Sequence, residues 1–477
     1  MFPKIIAKRA GARSILTAAT ALTVFSSASP ASGQTQTDPA TPQAELPLTI
    51  NDGFDGPDAL RFDWPEILIG TGQYEDGPTG ATVIRFKEGA QVAMDASGGG
   101  PGTLNSDYVA IGYPHALVDA IVLSGGTFYG LETATALNTA LLDDGTRSGA
   151  WNNVGLTLGS IIYDMGPRRY NEIYPDKRLA QAALRAAEPG VFPRGAYGGG
   201  RFAVNGALWG CHAKSGQGAA FRQIGDIKVA VFTVVNALGA VTDRDGNIVA
   251  CYKRPGWPDN LTAHDLMSAT PDSLQPDWDG EHDEDPDRLN TTISVVVTNR
   301  KMSQVELKRL AVQVNTSMAR AIQPYATELD GDVLYAVSTG EVQAGPGDSL
   351  VTAEIGTVAS ELMWDAILSA VPEQPEVVQP LAGARPDPAL LAGYAGDYRF
   401  SDYASFRVTA RGGKLYAEGT GNREIRYLPS GEQTELQPAE GGLFTVPRRY
   451  PMVLRFEADR VVVNPGRWQQ VGTRTGE

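Results

Sequence analysis

The sequence predicts a layered α/β core followed by a small antiparallel β module. Three observations lead there. Between residues 60 and 371 helical and strand patterns alternate, joined by glycine-dense connectors, the order from which α/β layers are built. Two continuous β-branched runs, residues 227–235 and 293–298, have strand length without polar alternation, as expected of central strands covered on both faces. Residues 391–477 break instead into short apolar runs at 405–419, 424–427, 443–447 and 452–463, separated by Gly-Gly, Pro-Ser-Gly and Asn-Pro-Gly turns.

The elements follow in order. Residues 1–14 carry Lys4, Lys8, Arg9 and Arg13 with no acid, residues 15–25 are apolar, and Ala31 and Gly33 stand at −3 and −1 of a cut before Gln34. This pattern predicts a secretory signal peptide over residues 1–33. The apolar run is too short to span a bilayer and no later one is long enough, so a soluble periplasmic or secreted protein without a membrane span is expected. Residues 34–59 read as a disordered leader. The two cysteines, Cys211 and Cys251, either pair in an oxidising compartment or are small buried hydrophobes; the sequence leaves both open.

Further along, Ser303-x-x-Glu306 is a capping box, and Leu307, Leu310, Ala311, Val314 and Met318 follow on one helical face, predicting a helix packed on the sheet. Residues 272–287 hold eight acids and no base, which predicts a solvated, mobile loop. That loop abuts a buried strand and leaves Thr291 and Thr292 at the core edge. Five prolines between residues 372 and 388 predict a semi-rigid linker over 372–390.

Composition narrows the function classes. Among 477 residues, 42% are hydrophobic and 20% charged, a globular balance, and the net charge of −15 repels nucleic-acid backbones and anionic membranes. With four scattered histidines and no Gly-x-Ser-x-Gly, His-Glu-x-x-His or Walker A motif, a His-based triad or a zinc site is not expected, and no metal or cofactor is called for. The Gly98-Gly-Gly-Pro-Gly-Thr103 run reads as a tight loop, since no Lys-Ser/Thr follows it, and Asp243-x-Asp245-Gly-Asn247 as a hairpin turn without the glutamate of a calcium loop.

Asn290-Thr291-Thr292 satisfies the glycosylation sequon, as do Asn260-Leu-Thr262 and Asn315-Thr-Ser317. It also fits a latent nucleophile. If the bond before Thr291 breaks, the new α-amine, with a reference pKa of about 7.7–8, can act as base toward its own hydroxyl. A hydrolase built this way needs no catalytic histidine.

Several segments, in order, resemble the self-processing DmpA-type aminopeptidases, which include β-peptidyl aminopeptidases and nylon-oligomer hydrolases. They are Ile69-Gly-Thr-Gly-Gln-Tyr74, Gly98-Gly-Gly-Pro-Gly-Thr103, Asp119 to Glu132 with its Ser-Gly-Gly-Thr, Lys214-Ser-Gly-Gln-Gly218, Val235-Asn236, Asn290-Thr-Thr-Ile293 and Asp330-Gly-Asp332. The resemblance covers roughly residues 60–371. It implies an αββα sandwich cut between 290 and 291 into two associated chains, in a homo-oligomer, usually a tetramer, acting on a small peptide or amide. The C-terminal module is an addition to that plan and is similar to lipocalin-like barrels appended to some serine hydrolases.

Matched residue by residue, the resemblance assigns Thr291 as nucleophile and Asn290 as the residue before the cut. Asp330 and Asp332 match the acids beside the new amine, Asn236 an oxyanion-side amide, Lys214 the family lysine, and Glu132 the acid near the substrate amine. Tyr129 stands where the substrate side chain is read. Lys214 is followed by Ser-Gly-Gln-Gly-Ala-Ala220 rather than the usual Gly-Gly-x-Gly-Thr-Ala, so the pocket wall differs. Glu132 points to exo-cleavage of short peptides, β-peptides or D-amino-acid amides and esters; the Asn-Thr junction with Asp-Gly-Asp leans toward internal amides of nylon-like oligomers. An acyltransferase of the ornithine acetyltransferase type and a binding protein on the same scaffold are the competing classes.

Overall fold

In the computed structural model, which describes residues 43–111, 117–166, 168–268, 290–343, 345 and 352–475, two β-sheets lie face to face between two pairs of helices. In chain order the elements that build this core are β1 (Thr49–Ile50), β2 (Ile67–Tyr74), β3 (Thr79–Ala96), β4 (Val118–Ser124), α1 (Glu132–Asp143), β5 (Thr157–Ile161), α2 (Lys177–Arg185), β6 (Gln217–Ile224), β7 (Ile227–Asn236), β8 (Thr291–Arg300), α3 (Gln304–Ser317), β9 (Val333–Val342) and α4 (Thr352–Ser369). The first sheet runs β1, β2, β3, β4, β5; the second runs β6, β7, β8, β9. The 18-residue β3 belongs to both: residues 79–90 pair within the first sheet and residues 91–96 pair with β9 in the second.

The uninterrupted apolar strands are explained by this layering. Alternate residues of β7 and β8, Phe232, Val234, Ile293 and Val295, meet Ile69, Ile84, Ile121 and Leu123 between the sheets. The intervening Val231, Val235 and Val296 face Leu307, Leu310 and Val314 of α3 and Ile355 and Met363 of α4. On the other side Ala81, Val83, Ala120 and Val122 pack on α1 and α2 through Leu137, Leu141, Leu179 and Leu184. Each buried Val, Leu or Ile contributes about 1.5–3 kcal/mol. This is the αββα sandwich that the resemblance implies. Helix α3 starts at the expected capping box: the Glu306 N–H donates to Ser303 Oγ and the Ser303 N–H to Glu306 Oε2.

The C-terminal module is a closed barrel of eight antiparallel strands, from Gly396–Arg399 to Gln470–Thr475, filled by Tyr398, Phe406, Leu415, Leu454 and Phe456. Residues 424–427 differ from expectation. They form a turn, with Tyr427 at φ 65°, and the strand next in the barrel is Thr434–Pro438. The leader also ends earlier than the sequence suggests: β1 pairs with β2, Asn51 accepts the Thr71 N–H, and Phe54 is buried in the inter-sheet core. The expected signal peptide, residues 34–42 of the leader and the acidic stretch 272–287 lie outside the described residues. Among the described residues no helix is long and apolar enough to cross a membrane.

Cys211 and Cys251 form a disulfide, which resolves the choice the sequence left open. The Asp243 turn is as expected, its carboxylate accepting the N–H groups of Asp245 and Asn247.

Candidate active site

The second sheet brings four chain segments to one end. In the β7–β8 register Asn236 stands opposite Thr291, and in the parallel β8–β9 register Ile293 stands opposite Val333, so Asp330-Gly331-Asp332 runs beside Asn290 and Thr291. Strand β3 ends at Ala96 opposite Val333, which lays the following glycine loop against the same acids. Strand pairing alone therefore gathers residues from 39 (Thr291 to Asp330) to 96 (Asn236 to Asp332) positions apart in sequence, and Thr291, Asn290, Asn236, Asp330 and Asp332 are all buried there.

The carbonyl of Asn290 is the focus of the hydrogen bonding. Its oxygen accepts the Gly331 N–H at 3.0 Å and the Thr291 hydroxyl at 2.5 Å. Two donors on one peptide oxygen polarise that carbonyl, and one of them is the hydroxyl of the residue that follows it. Thr291 is 2% exposed. Asn290 and Asn315 are buried as well, so of the three sequons only Asn260 offers an exposed side chain.

The acids differ in their partners. Asp332 accepts the Thr292 N–H at 2.6 Å and the Ala326 N–H at 3.0 Å; Asp330 accepts the Leu238 N–H and the Thr327 hydroxyl. Burial raises Asp330 to about 6, and burial together with the neighbouring Asp330 charge raises Asp332 well above the usual carboxylate range. Two carboxylates one residue apart inside the protein cannot both ionise cheaply until a cation joins them. An ammonium on Thr291 would be such a cation.

Asn236 is fully committed. Its Oδ1 accepts the Val204 N–H at 3.1 Å and Arg168 Nη1 at 3.2 Å, while its Nδ2 donates to Tyr163 O and to Asn290 Oδ1. Lys214 is the strand partner of Val204, and its ammonium lies 4.5 Å from the Phe202 ring centroid. Its link to Asn236 runs through the backbone, by strand pairing with Val204, whose N–H donates to Asn236 Oδ1. Glu132 and Tyr129 sit apart on the α1 side: Glu132 Oε1 accepts the Lys177 N–H, burial together with the Glu132 carboxylate raises the Tyr174 hydroxyl above its usual range, and Tyr129 packs its ring on Tyr174. No direct contact between Glu132 or Tyr129 and the Thr291 cluster is seen among the described residues.

Sequence reasoning missed three contributors. Arg168 and Tyr163 hold the Asn236 amide, yet sit in a loop without any local pattern. The glycine loop was legible as a tight turn but not as the wall of the site: Gly98 packs on the backbone of Asp330 and Asp332, and the Gly100 N–H donates to Asp330 O. A Cβ at Gly98 would collide with both neighbours, and the sequence signal for that close approach is the glycine run itself, one of the segments that carry the resemblance.

The described residues hold no group of His, Cys, Asp and Glu side chains suited to a metal. The family model for peptidase family S58 matches residues 62–380. A 6-aminohexanoate-oligomer endohydrolase from Paenarthrobacter ureafaciens is 40% identical over 336 residues, 67% of this chain and 90% of that protein. An uncharacterized aminopeptidase of Mycobacterium bovis is 30% identical over 339 residues, 68% of this chain and 91% of that one. The solved L-aminopeptidase D-Ala-esterase/amidase of Ochrobactrum anthropi aligns with a TM-score of 0.46 at 17% identity, covering 68% of this chain and 87% of that structure.

Proposed function

Because the chain belongs to peptidase family S58, an amidohydrolase family, we propose that it severs its own Asn290–Thr291 bond and then uses Thr291 as an N-terminal nucleophile on short linear amides. The observation that carries this is the Asn290 carbonyl, held between the Gly331 N–H and the Thr291 hydroxyl. In the first reaction Thr291 Oγ attacks that carbonyl carbon as its proton leaves, and the Gly331 N–H stabilises the developing oxyanion. Collapse breaks the C–N bond, protonates the Thr291 nitrogen and leaves an ester. Water then releases the Asn290 carboxylate and restores the hydroxyl.

The freed amine becomes the base for turnover. It takes the Oγ proton as Oγ attacks a substrate amide, returns it to the leaving amine, and the acyl-enzyme is hydrolysed by water. Asp332, whose proton burial holds in the uncut chain, and Asp330 beside it pair with the ammonium that forms as the amine takes the Oγ proton, and so fix its orientation. Departure of Asn290 frees the Nδ2–H of Asn236 that its side chain accepts, making that donor available to the substrate oxyanion.

Among substrates, internal amides of linear aminoacyl oligomers are favoured, because the 40%-identical relatives are named 6-aminohexanoate-oligomer endohydrolases. Exo-cleavage at a free amine is the second reading, supported by relatives named aminopeptidases. It asks Glu132 to bind an ammonium while one of its oxygens accepts the Lys177 N–H. Hydrolysis of a 6-aminohexanoate trimer with and without an N-acetyl cap separates them: an endohydrolase retains the capped substrate and an aminopeptidase loses it. Loss of all turnover in Thr291→Ala is required by both.

A further inference from the structure

The C-terminal barrel bonds the backbone of the loop that holds the candidate site. Gln470 opens the last barrel strand and is 4% exposed. Its side chain accepts the Tyr170 N–H at 2.6 Å and donates to Arg168 O at 3.0 Å, pairing with the loop as a strand would. Arg423, also of the barrel, donates to Arg169 O at 2.7 Å and pairs with Glu172. Three consecutive loop residues are thus tied by barrel side chains. The Tyr170 ring adds an apolar anchor, buried in the barrel core 5.2 Å from the Phe400 ring centroid. Close by, the Trp468 ring centroid lies 5.8 Å from the Lys214 ammonium.

The same loop reaches Asn236. Arg168 Nη1 donates to Asn236 Oδ1 at 3.2 Å and Arg168 Nη2 donates to Tyr163 O. Tyr163 O also accepts Asn236 Nδ2 at 3.1 Å, which closes a ring of hydrogen bonds through one amide, one guanidinium and one carbonyl. The ring fixes polarity as well as position. A guanidinium only donates, so it and the Val204 N–H hold the Oδ1 end, and Nδ2 is turned to Asn290 Oδ1, 3.3 Å away. An amide turned by 180° would present its oxygen to a developing oxyanion, which repels instead of stabilising.

Resting on the hydrolase reading, we propose that Gln470 is a positioning residue of the enzyme. By fixing the backbone on both sides of Arg169 it sets the Arg168 guanidinium, and through it the direction of the Asn236 donor. The position requires one side chain that accepts from one backbone group and donates to another, and a primary amide does both. The barrel, although outside the family match over residues 62–380, is a working part of the site.

The test uses the processed full-length protein and Gln470→Met, which keeps the side chain's length and removes both hydrogen bonds. With the 6-aminohexanoate trimer, kcat is expected to fall by about tenfold to a hundredfold while KM is unchanged, because a donor used only in the transition state is misaimed. Arg423→Met loosens the same loop at Arg169; it is expected to lower kcat in the same way but less, and it carries the test if Gln470→Met does not fold. The route through Arg168 is read from a double-mutant cycle. In an Arg168→Met background, adding Gln470→Met is expected to change kcat by less than about twofold. Wild-type kcat in both single barrel variants, a loss carried by KM alone, or losses that multiply in the double variant overturn the proposal. Amide hydrogen exchange separates the two levels without substrate: in Gln470→Met the loop amides, and the Val204 amide that donates to Asn236, are expected to exchange faster than in the wild-type chain. Faster exchange there without any wild-type turnover supports the positioning role and refutes the hydrolase reading; wild-type turnover with unchanged exchange does the reverse.

Discussion

Gly331→Ala is the sharpest perturbation of the candidate site, because it adds one carbon at a known place. A Cβ built there lies 2.6 Å from Gly100 O, 2.7 Å from Thr291 Oγ and 3.1 Å from Thr291 Cγ2. Ordinary contacts start near 3.4 Å, so the hydroxyl, the Gly100 carbonyl or the Gly331 backbone must shift by several tenths of an ångström. The Gly331 N–H is the donor to Asn290 O at 3.0 Å, so a shift of its backbone misaims the oxyanion donor as well. Loss of one such donor slows acyl transfer by about 10²–10³, and overpacking at a buried site costs about 1–3 kcal/mol of stability. The assay is the half-time for conversion of freshly refolded precursor into two fragments on denaturing gels, with a denaturant melt run alongside. Gly393→Ala, where a Cβ meets nothing within 4 Å, is the control and is expected to process normally. Self-cleavage of Gly331→Ala at the wild-type rate would refute the role given to that backbone.

Three further outcomes are expected. Asn236→Ala strands the Val204 N–H and the Tyr163 carbonyl and is expected to cost about 2–4 kcal/mol in a denaturant melt, with a kcat loss of at least about tenfold. In the uncut Thr291→Ala chain, Asp330 holds its proton to about pH 6 when folded and to about 4 when unfolded, so the native state binds more protons between those values. Stability is then greatest below about pH 4 from this group and falls by up to about 3 kcal/mol as pH rises through 6, a slope measured by melts at stepped pH and removed in Asp330→Asn. Replacing both Cys211 and Cys251 by Ser opens a loop of 40 residues and is expected to lower stability by about 4 kcal/mol in chain-entropy terms, read from the same melts.

Much of the architecture was legible where local chemistry and tertiary demand agree. The runs at 227–235 and 293–298 could only be central strands, and Ser303 with Glu306 fixed the start of a helix to the residue. The barrel was legible as a β module, but its strand borders were not. Residues 424–427 alternate like a strand, yet the chain turns there, with Ile425 and Leu428 both pointing into the barrel core. The order of residues 43–59 is not legible in composition, because β1 is only two residues long and owes its order to pairing with β2.

The site divides the same way. Thr291, Asn236 and the two acids could be singled out because they sit at strand ends, where a nucleophile, an amide and a carboxylate pair become neighbours by register. Arg168, Tyr163 and the docking of Trp468 on Lys214 carry no periodic signal, and they depend on loops and on a module outside the family match. Proline spacing made residues 372–390 a linker. Packing makes part of it structural: the Gln374 side chain bonds both backbone groups of Lys214.

Intact-mass spectrometry of the purified, denatured protein tests the central claim most directly. The account predicts two polypeptides, one starting Thr-Thr-Ile-Ser at Thr291, and a single chain for Thr291→Ala. A full-length wild-type chain that hydrolyses amides while its Asn290–Thr291 bond stays intact would contradict it.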